Sequence, residues 1–354
     1  MNRLFSALLL LAVAASAADN IEVLMDNGHW KRARALAEAA YKANPNDAHA
    51  NYLMARVAQR YDKLDDALKY AETAAKLDGK VSAHHRMVGE IAGAVAEKAS
   101  VFKQMSMAGK IKSSFDVALA LDPKNYENVL NKVQFYTEAP GIMGGDKKRA
   151  AELANDLVKS NPVHGYRVLA WIAENAKKRD EMVNMYMQAH QADPKNCEVN
   201  YTLAALYINS GTDFPKAEEH ARAAMDACPD RIGGYRLVAY SLAAQKRVDE
   251  SAKVVARAEA AIPDDLSPYV LAARGMLSQG IELPKAETYL KKYIAETKEP
   301  EPSAPLIAGT HWSLALVYEK EGRKSDTIAE LHTSLQIKPD FEPAQNDLKR
   351  MTGK

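Results

Sequence analysis

Cysteine is nearly absent from this sequence: two residues, Cys197 and Cys228, in a chain of 354. No Cys-x-x-Cys occurs, which excludes a dithiol redox site and a thiolate zinc site. Net charge is missing too, since 47 basic residues face 46 acidic ones for a formal +1. Nucleic-acid binding draws on a cationic excess gathered on one face, so this balance excludes that class of partner. Histidine is thin, with nine residues scattered apart from His84-His85. Adjacent helical positions point about 100° apart and cannot share a metal. His-Glu-x-x-His, Gly-x-Ser-x-Gly and a paired Cys/His nucleophile are all lacking, so no catalytic residue, metal site or cofactor is expected. The glycines beside lysines in "GIMGGDKK" fall short of a phosphate cradle. Asp146 follows the glycine pair, Ser/Thr is absent after the lysines, and the preceding segment reads as helix.

Long apolar runs are lacking as well, except at the N-terminus. Met1-Asn2-Arg3 supplies a short positive start, Leu4 to Ala15 carries no charge, and Ala15-Ser16-Ala17 offers the small residues of a cleavage site. Residues 1–17 therefore read as a secretory signal peptide. Asp19 ends the run short of the ~20 apolar residues that a membrane span needs, so no stable membrane anchor is expected. The expected location is a bacterial periplasm or the exterior.

What the sequence does contain is a period. Prolines recur at Pro45, Pro123, Pro162, Pro194, Pro229, Pro263 and Pro339. The steps are about 34 residues or about twice that, the signature of a repeat array. Between Pro45 and Pro123 the segment "KLDGK", with Gly79, stands where a proline is due. In this register small residues fall where two helices must approach: Ala33, Ala67, Ala150 and Ala217 at one position, and Ala55, Gly89, Ala170, Ala204, Ala239, Ala273 and Ala315 at another. Large side chains mark other slots, including Tyr166, Tyr235 and Tyr269, then Leu169, Leu203 and Leu314, then Tyr207 and Tyr318. Gly28, Gly280 and Gly322 sit where the chain turns between two helices and needs a positive φ.

These residues are those of the tetratricopeptide repeat, which the chain resembles over nearly all of its mature length. The resemblance implies an all-α fold, an α-solenoid built as a right-handed superhelix of about nine helix-turn-helix units. The units are expected at 19–46, 47–81, 82–124, 125–162, 163–196, 197–231, 232–265, 266–307 and 308–341, making a solenoid over 18–341 with a capping helix and tail at 342–354. The third unit is about ten residues longer than a regular one, most simply as longer helices. The fourth carries a Pro-Gly and Gly-Gly loop from Pro140 to Asp146, and "TKEPEPSAPLIAG" forms a stiff connection after the eighth. Together these resemble a subgroup of exported bacterial repeat proteins, with no defined activity to carry across.

Cys197 and Cys228 fall at the start of the first helix and the end of the second helix of one unit, ends that lie side by side in an antiparallel hairpin. Two readings stay open: a disulfide, or two small buried residues that never oxidise.

In this family recurring first-helix positions build the concave groove. Mapped here they give Tyr52, Arg56, Arg86, Arg167, Trp171, Tyr201, Asn209, Arg236, Tyr240, Arg274 and Trp312. Arginine recurs in five units among aromatic residues, the usual anchors of protein interfaces. The competing reading has these arginines pair with neighbouring carboxylates and stiffen the array. The family's chaperone-tail clamp needs lysine and asparagine over three units. Asn131 alone falls on such a position, so that ligand is not implied. The expected function is a non-catalytic scaffold holding a protein or peptide segment in the groove. The alternatives are an accessory or substrate-binding subunit of an envelope enzyme, for a cell-wall glycan for instance, and a plain structural spacer.

Overall fold

Proline disfavours helical φ and ψ at the residue before it and drives that residue to extended backbone. In the computed structural model, which describes residues 21–302 and 304–353, every proline of the ladder uses this to end a helix. Asn44, Asp122, Asn161, Asp193, Cys228, Ile262 and Lys338 each stand as the C-cap directly before a ladder proline, with φ from −131° to −148°. Asp78, before Gly79, takes the same conformation at φ −138°. The sequence reading of residues 1–17 as a signal lies outside the described residues.

Regular structure among the described residues is helical throughout, and the fold is all-α as expected. Two compact units divide it after Asp193. In the N-terminal unit, residues 21–26 are helical (α1), followed by α2 (Trp30–Ala43), α3 (Ala48–Arg60), α4 (Leu64–Leu77), α5 (Ser82–Glu97) and α6 (Val101–Leu121). A helix α7 (Tyr126–Glu138), a 3-10 turn (Gly141–Met143), α8 (Lys147–Ser160), α9 (Pro162–Asn175) and α10 (Arg179–Ala192) complete it. The extra length noted in the sequence goes into α6, which runs for 21 residues. From α2 on, each helix packs on its neighbours in sequence, and α3, α5, α7 and α9 also touch in succession. That second set of contacts aligns the first helices side by side, as in a stacked array.

The C-terminal unit repeats the pattern with α11 (Cys197–Ser210), α12 (Phe214–Ala227), α13 (Ile232–Ala244), α14 (Val248–Ala261) and α15 (Ser267–Gln279). It continues through α16 (Leu283–Glu296), α17 (Ile307–Lys320), α18 (Lys324–Ile337) and α19 (Glu342–Thr352). Here α11, α13, α15 and α17 form the touching row. One core runs through the unit, with Tyr235, Leu242, Met276, Leu290 and Tyr293 nearly fully buried. Burying side chains of this size stabilises by roughly 1.5–3 kcal/mol each. The last helix, α19, lays Ala344 against Leu331 and Ala315, with Trp312 and Phe341 beside them.

Small residues set how closely helices approach. Ala33, Ala55, Ala67, Ala170, Ala204, Ala239, Ala273 and Ala315 are all completely buried. A Cβ on Gly165 would fall 2.3 Å from the Val158 backbone nitrogen, and one on Gly234 would fall 2.6 Å from Met225 Cα. A polar side chain near the start of several first helices then pins the preceding turn. Asn51 Nδ2 donates to the Pro45 and Asp47 carbonyls at 2.8 Å each, and Asn200 Nδ2 donates to Pro194 at 2.8 Å. The histidine pair does the same work: His84 Nδ1 lies 3.0 Å from the Asp78 carbonyl and His85 Nε2 lies 2.9 Å from that of Gly79. Burial lowers the His84 pKa below its ordinary value, against the pull of that Asp78 carbonyl.

Cys197, which opens α11, and Cys228, which caps α12, form a disulfide across a Cα–Cα distance of 6.0 Å. The bond closes the hairpin at the ends where it opens.

Candidate functional site

First helices place their outward positions in line, so residues one repeat apart become neighbours in space. In the N-terminal unit this brings Tyr52 and Arg56 of α3 to Arg86 of α5, in a cleft of about 660 Å³ that also holds Trp30, Gln59 and Arg60. Carboxylates from Glu22, Asp26, Glu90 and Glu127 share the cleft. Arg56 Nη2 meets Asp26 Oδ1 at 2.8 Å, with its guanidinium 5.8 Å from the Tyr52 ring centroid and 6.0 Å from that of Trp30. Arg86 is buried and grips two carboxylates, Glu90 at 2.9 Å and Glu127 at 2.6 Å. Burial would loosen the proton on Arg86, but Glu90 and Glu127 more than offset it and hold the guanidinium more firmly charged than usual. Glu90 also accepts from Asn131 Nδ2. Arg56 and Arg86 are thus each met by carboxylates of the same cleft.

Two further expected residues of this unit, Arg167 and Trp171 on α9, line neither this cleft nor the one described next. Arg167 stacks on Tyr126 at 4.8 Å from the ring centroid, and Tyr126 stacks in turn on His164 at 4.3 Å. Trp171 packs against the core formed by Val129, Val133 and Val168.

In the C-terminal unit, Tyr240 of α13, Arg274 of α15 and Trp312 of α17 come together around a cleft of about 700 Å³. Leu277 and Leu316 supply apolar wall, and Ser278, Ser313, Glu319 and Lys320 complete the lining. Arg274 donates from Nε to Ser313 Oγ at 3.0 Å and from Nη2 to the Gly309 carbonyl at 3.2 Å. Burial lowers its pKa from the ordinary arginine value, with a weaker upward influence from Tyr293 and Tyr240. Trp312 Nε1 donates to Asp347 Oδ2 at 2.8 Å and its ring meets Phe341 edge-on at 6.1 Å, which fixes the indole as a wall. The expected residues Tyr201, Asn209 and Arg236 line neither cleft. Tyr201 lies over Gly233, where a Cβ would fall 2.8 Å from its ring. Asn209 is exposed near the end of α11.

Several lining residues escaped the sequence reading. Trp30 and Arg60 lie 5.4 Å apart, cation over ring, at the rim of the first cleft. Trp30 opens a second helix, outside the first-helix positions used to number the groove. Among the described residues no group of His, Cys, Asp and Glu is placed to hold a metal ion, and no helix is long and apolar enough to cross a membrane.

The fold and the two clefts define an all-helical repeat protein whose first-helix face carries aromatic and cationic side chains. Residues 24–91 match the family model described as Tetratricopeptide repeat, and the chain resembles proteins of that kind. Among solved structures it is similar to a tetratricopeptide repeat protein from Parabacteroides merdae, at 15% identity and TM-score 0.47 over 73% of this chain and 98% of that one. A thermophilic TPR protein of Thermus thermophilus matches at 19% identity and TM-score 0.45, over 52% of this chain and 94% of that one. Yeast Tom70 matches at 14% identity and TM-score 0.46, over 96% and 88% of the two chains. No curated protein matches the sequence.

Proposed function

We propose that this chain is a non-catalytic scaffold that binds a segment of a partner protein along its first-helix faces, after export to a bacterial periplasm or beyond. The observation that carries the reading is the cleft of the C-terminal unit, where Tyr240, Trp312 and Arg274 converge from three successive first helices. Arginine and large aromatic side chains held in a preformed depression are the anchors that interfaces use most. Because the groove is already formed, the ordering cost of binding falls on the partner segment alone. Export is supported by the charged start, apolar run and Ala15-Ser16-Ala17 of the N-terminus. The Cys197–Cys228 bond fits an oxidising compartment.

The N-terminal cleft also favours a second reading, since Trp30 and Tyr52 lie there among carboxylates and the Gln59 amide. Flat rings with acid and amide neighbours suit a sugar as well as a peptide, so this cleft fits a glycan of an envelope complex.

Cross-linking tests the main reading. A photo-reactive amino acid is placed in cells at Arg60 or Lys320, on the cleft rims, and at Leu36 or Val117, exposed positions that line neither cleft. Discrete protein adducts from the rim positions, absent from the other two, are expected. Equal labelling from all four positions, or none from the rims, overturns the scaffold reading.

A further inference from the structure

We infer that Arg274 is a carboxylate-binding subsite, and that the segment held in the C-terminal cleft presents an Asp or Glu side chain beside an apolar one. This rests on the scaffold reading and names the chemistry of its partner. A guanidinium has five N–H donors in a rigid fork shaped for a carboxylate. Arg274 uses Nε on a serine hydroxyl and Nη2 on a backbone carbonyl, both neutral acceptors. Among the described residues no carboxylate forms an ion pair with it. Most of its surface is buried, and the burial draws its pKa down. A charge taken from water without a counter-charge is costly to the fold, and a carboxylate in reach offsets part of that cost.

The acids nearest the cleft are already engaged. Glu319 is gripped by both terminal nitrogens of Arg350, at 2.5 and 2.8 Å, and its pKa is held down chiefly by those bonds. Asp347 is shared between Trp312 Nε1 at 2.8 Å and Arg350 at 2.9 Å. On the rim Lys320 is exposed and, among the described residues, forms no ion pair, so the opening carries a second positive charge. Charge complementarity therefore selects an acidic segment. Tyr240, Leu277, Leu316 and the braced Trp312 ring supply the apolar surface against which a neighbouring side chain of that segment packs. This arrangement of one guanidinium, one hydroxyl and one backbone carbonyl differs from the lysine and asparagine constellation that the sequence lacks.

The test measures binding of fluorescent peptides to the full exported chain by anisotropy. The probe is a capped alternating Glu-Leu hexapeptide, with Gln-Leu and Lys-Leu hexapeptides as controls and an uncapped Gln-Leu peptide to present a terminal carboxylate only. The Glu-Leu peptide is expected to bind at least about tenfold more tightly than either capped control. Arg274→Gln should remove most of that preference while circular dichroism stays unchanged. Lys320→Glu, on the exposed rim, should weaken the Glu-Leu peptide a few-fold through charge alone and guards against a folding artefact at Arg274. Equal binding of Glu-Leu and Gln-Leu overturns the carboxylate subsite but leaves the scaffold reading standing, provided the rim cross-links persist. Binding of the uncapped Gln-Leu peptide in place of Glu-Leu overturns the side-chain assignment, and no binding of any peptide overturns the subsite.

Discussion

Arg86 and Arg274 occupy neighbouring first-helix positions in two different units, and their surroundings are opposite. In the N-terminal unit Arg86 is met by Glu90 and Glu127, and Arg56 by Asp26. In the C-terminal unit Arg274 donates to Ser313 and a backbone carbonyl, and no carboxylate among the described residues pairs with it. The first arrangement satisfies its own charge and contributes to holding α1, α3, α5 and α7 in register. The second leaves a charge that the fold does not answer. One residue type at similar sites on similar helices thus does structural work in one unit and is available for a ligand in the other. The pairing partners decide it, not the arginine.

The units differ as well in covalent closure, and breaking that difference should give the largest effect. The disulfide belongs to the C-terminal unit alone, between Cys197 and Cys228 with a sequence separation of 31. Loop-closure entropy for that length makes the bond worth about 3–4 kcal/mol. Reduction, or the double substitution Cys197→Ser/Cys228→Ser, should lower hydrogen-exchange protection throughout α11 to α13 and leave α3 to α5 unchanged. Equal loss in both units would show that the bond does not act locally.

The arginine comparison itself can be inverted. Glu90→Gln/Glu127→Gln turns Arg86 into an uncompensated charge like Arg274 and should cost about 2 kcal/mol in urea denaturation, less than a fully buried pair because both carboxylates reach solvent. Arg274→Met removes an unanswered charge and should leave stability unchanged or raise it, as substitutions at functional sites often do. If Arg274→Met destabilises as much as the glutamate pair does, Arg274 is structural and the contrast between the units fails.

Much of this fold was legible in the sequence because its causes are local. A proline acts on the residue before it, and a buried alanine marks a helix crossing whatever lies beyond. The turns between paired helices were less so. Gly28, Gly280 and Gly322 announce a positive φ, but Asp62, Lys177 and Lys246 adopt φ values of 58–64° without glycine, held there by the helices on either side. At the candidate sites, register alone gathered Tyr240, Arg274 and Trp312, since each unit repeats the same helix positions. It could not tell a paired arginine from an unpaired one. Glu90 stands one turn from Arg86 and is readable as a partner, while Glu127 arrives from α7, through stacking. Trp30 was missed because it opens a second helix.

The smallest expected effect compares two first-helix glycines, Gly93 in the N-terminal unit and Gly275 in the C-terminal one. A Cβ added at Gly93 on α5 meets nothing within 4 Å. Alanine restores helix propensity there, so Gly93→Ala should stabilise the N-terminal unit by about 0.5–1 kcal/mol, read as a raised urea midpoint with an unchanged slope. Gly275 on α15 admits no such gain, because its Cβ would fall 2.6 Å from the Tyr240 carbonyl and 2.7 Å from Ala243 Cβ. That close approach of α15 to α13 is what carries Arg274 up to Tyr240. Gly93 is therefore dispensable, while Gly275, beside Arg274, is a condition of the close approach of α15 to α13. A stability loss at Gly93→Ala would show that α5 is packed at Gly93 as tightly as α15 is at Gly275.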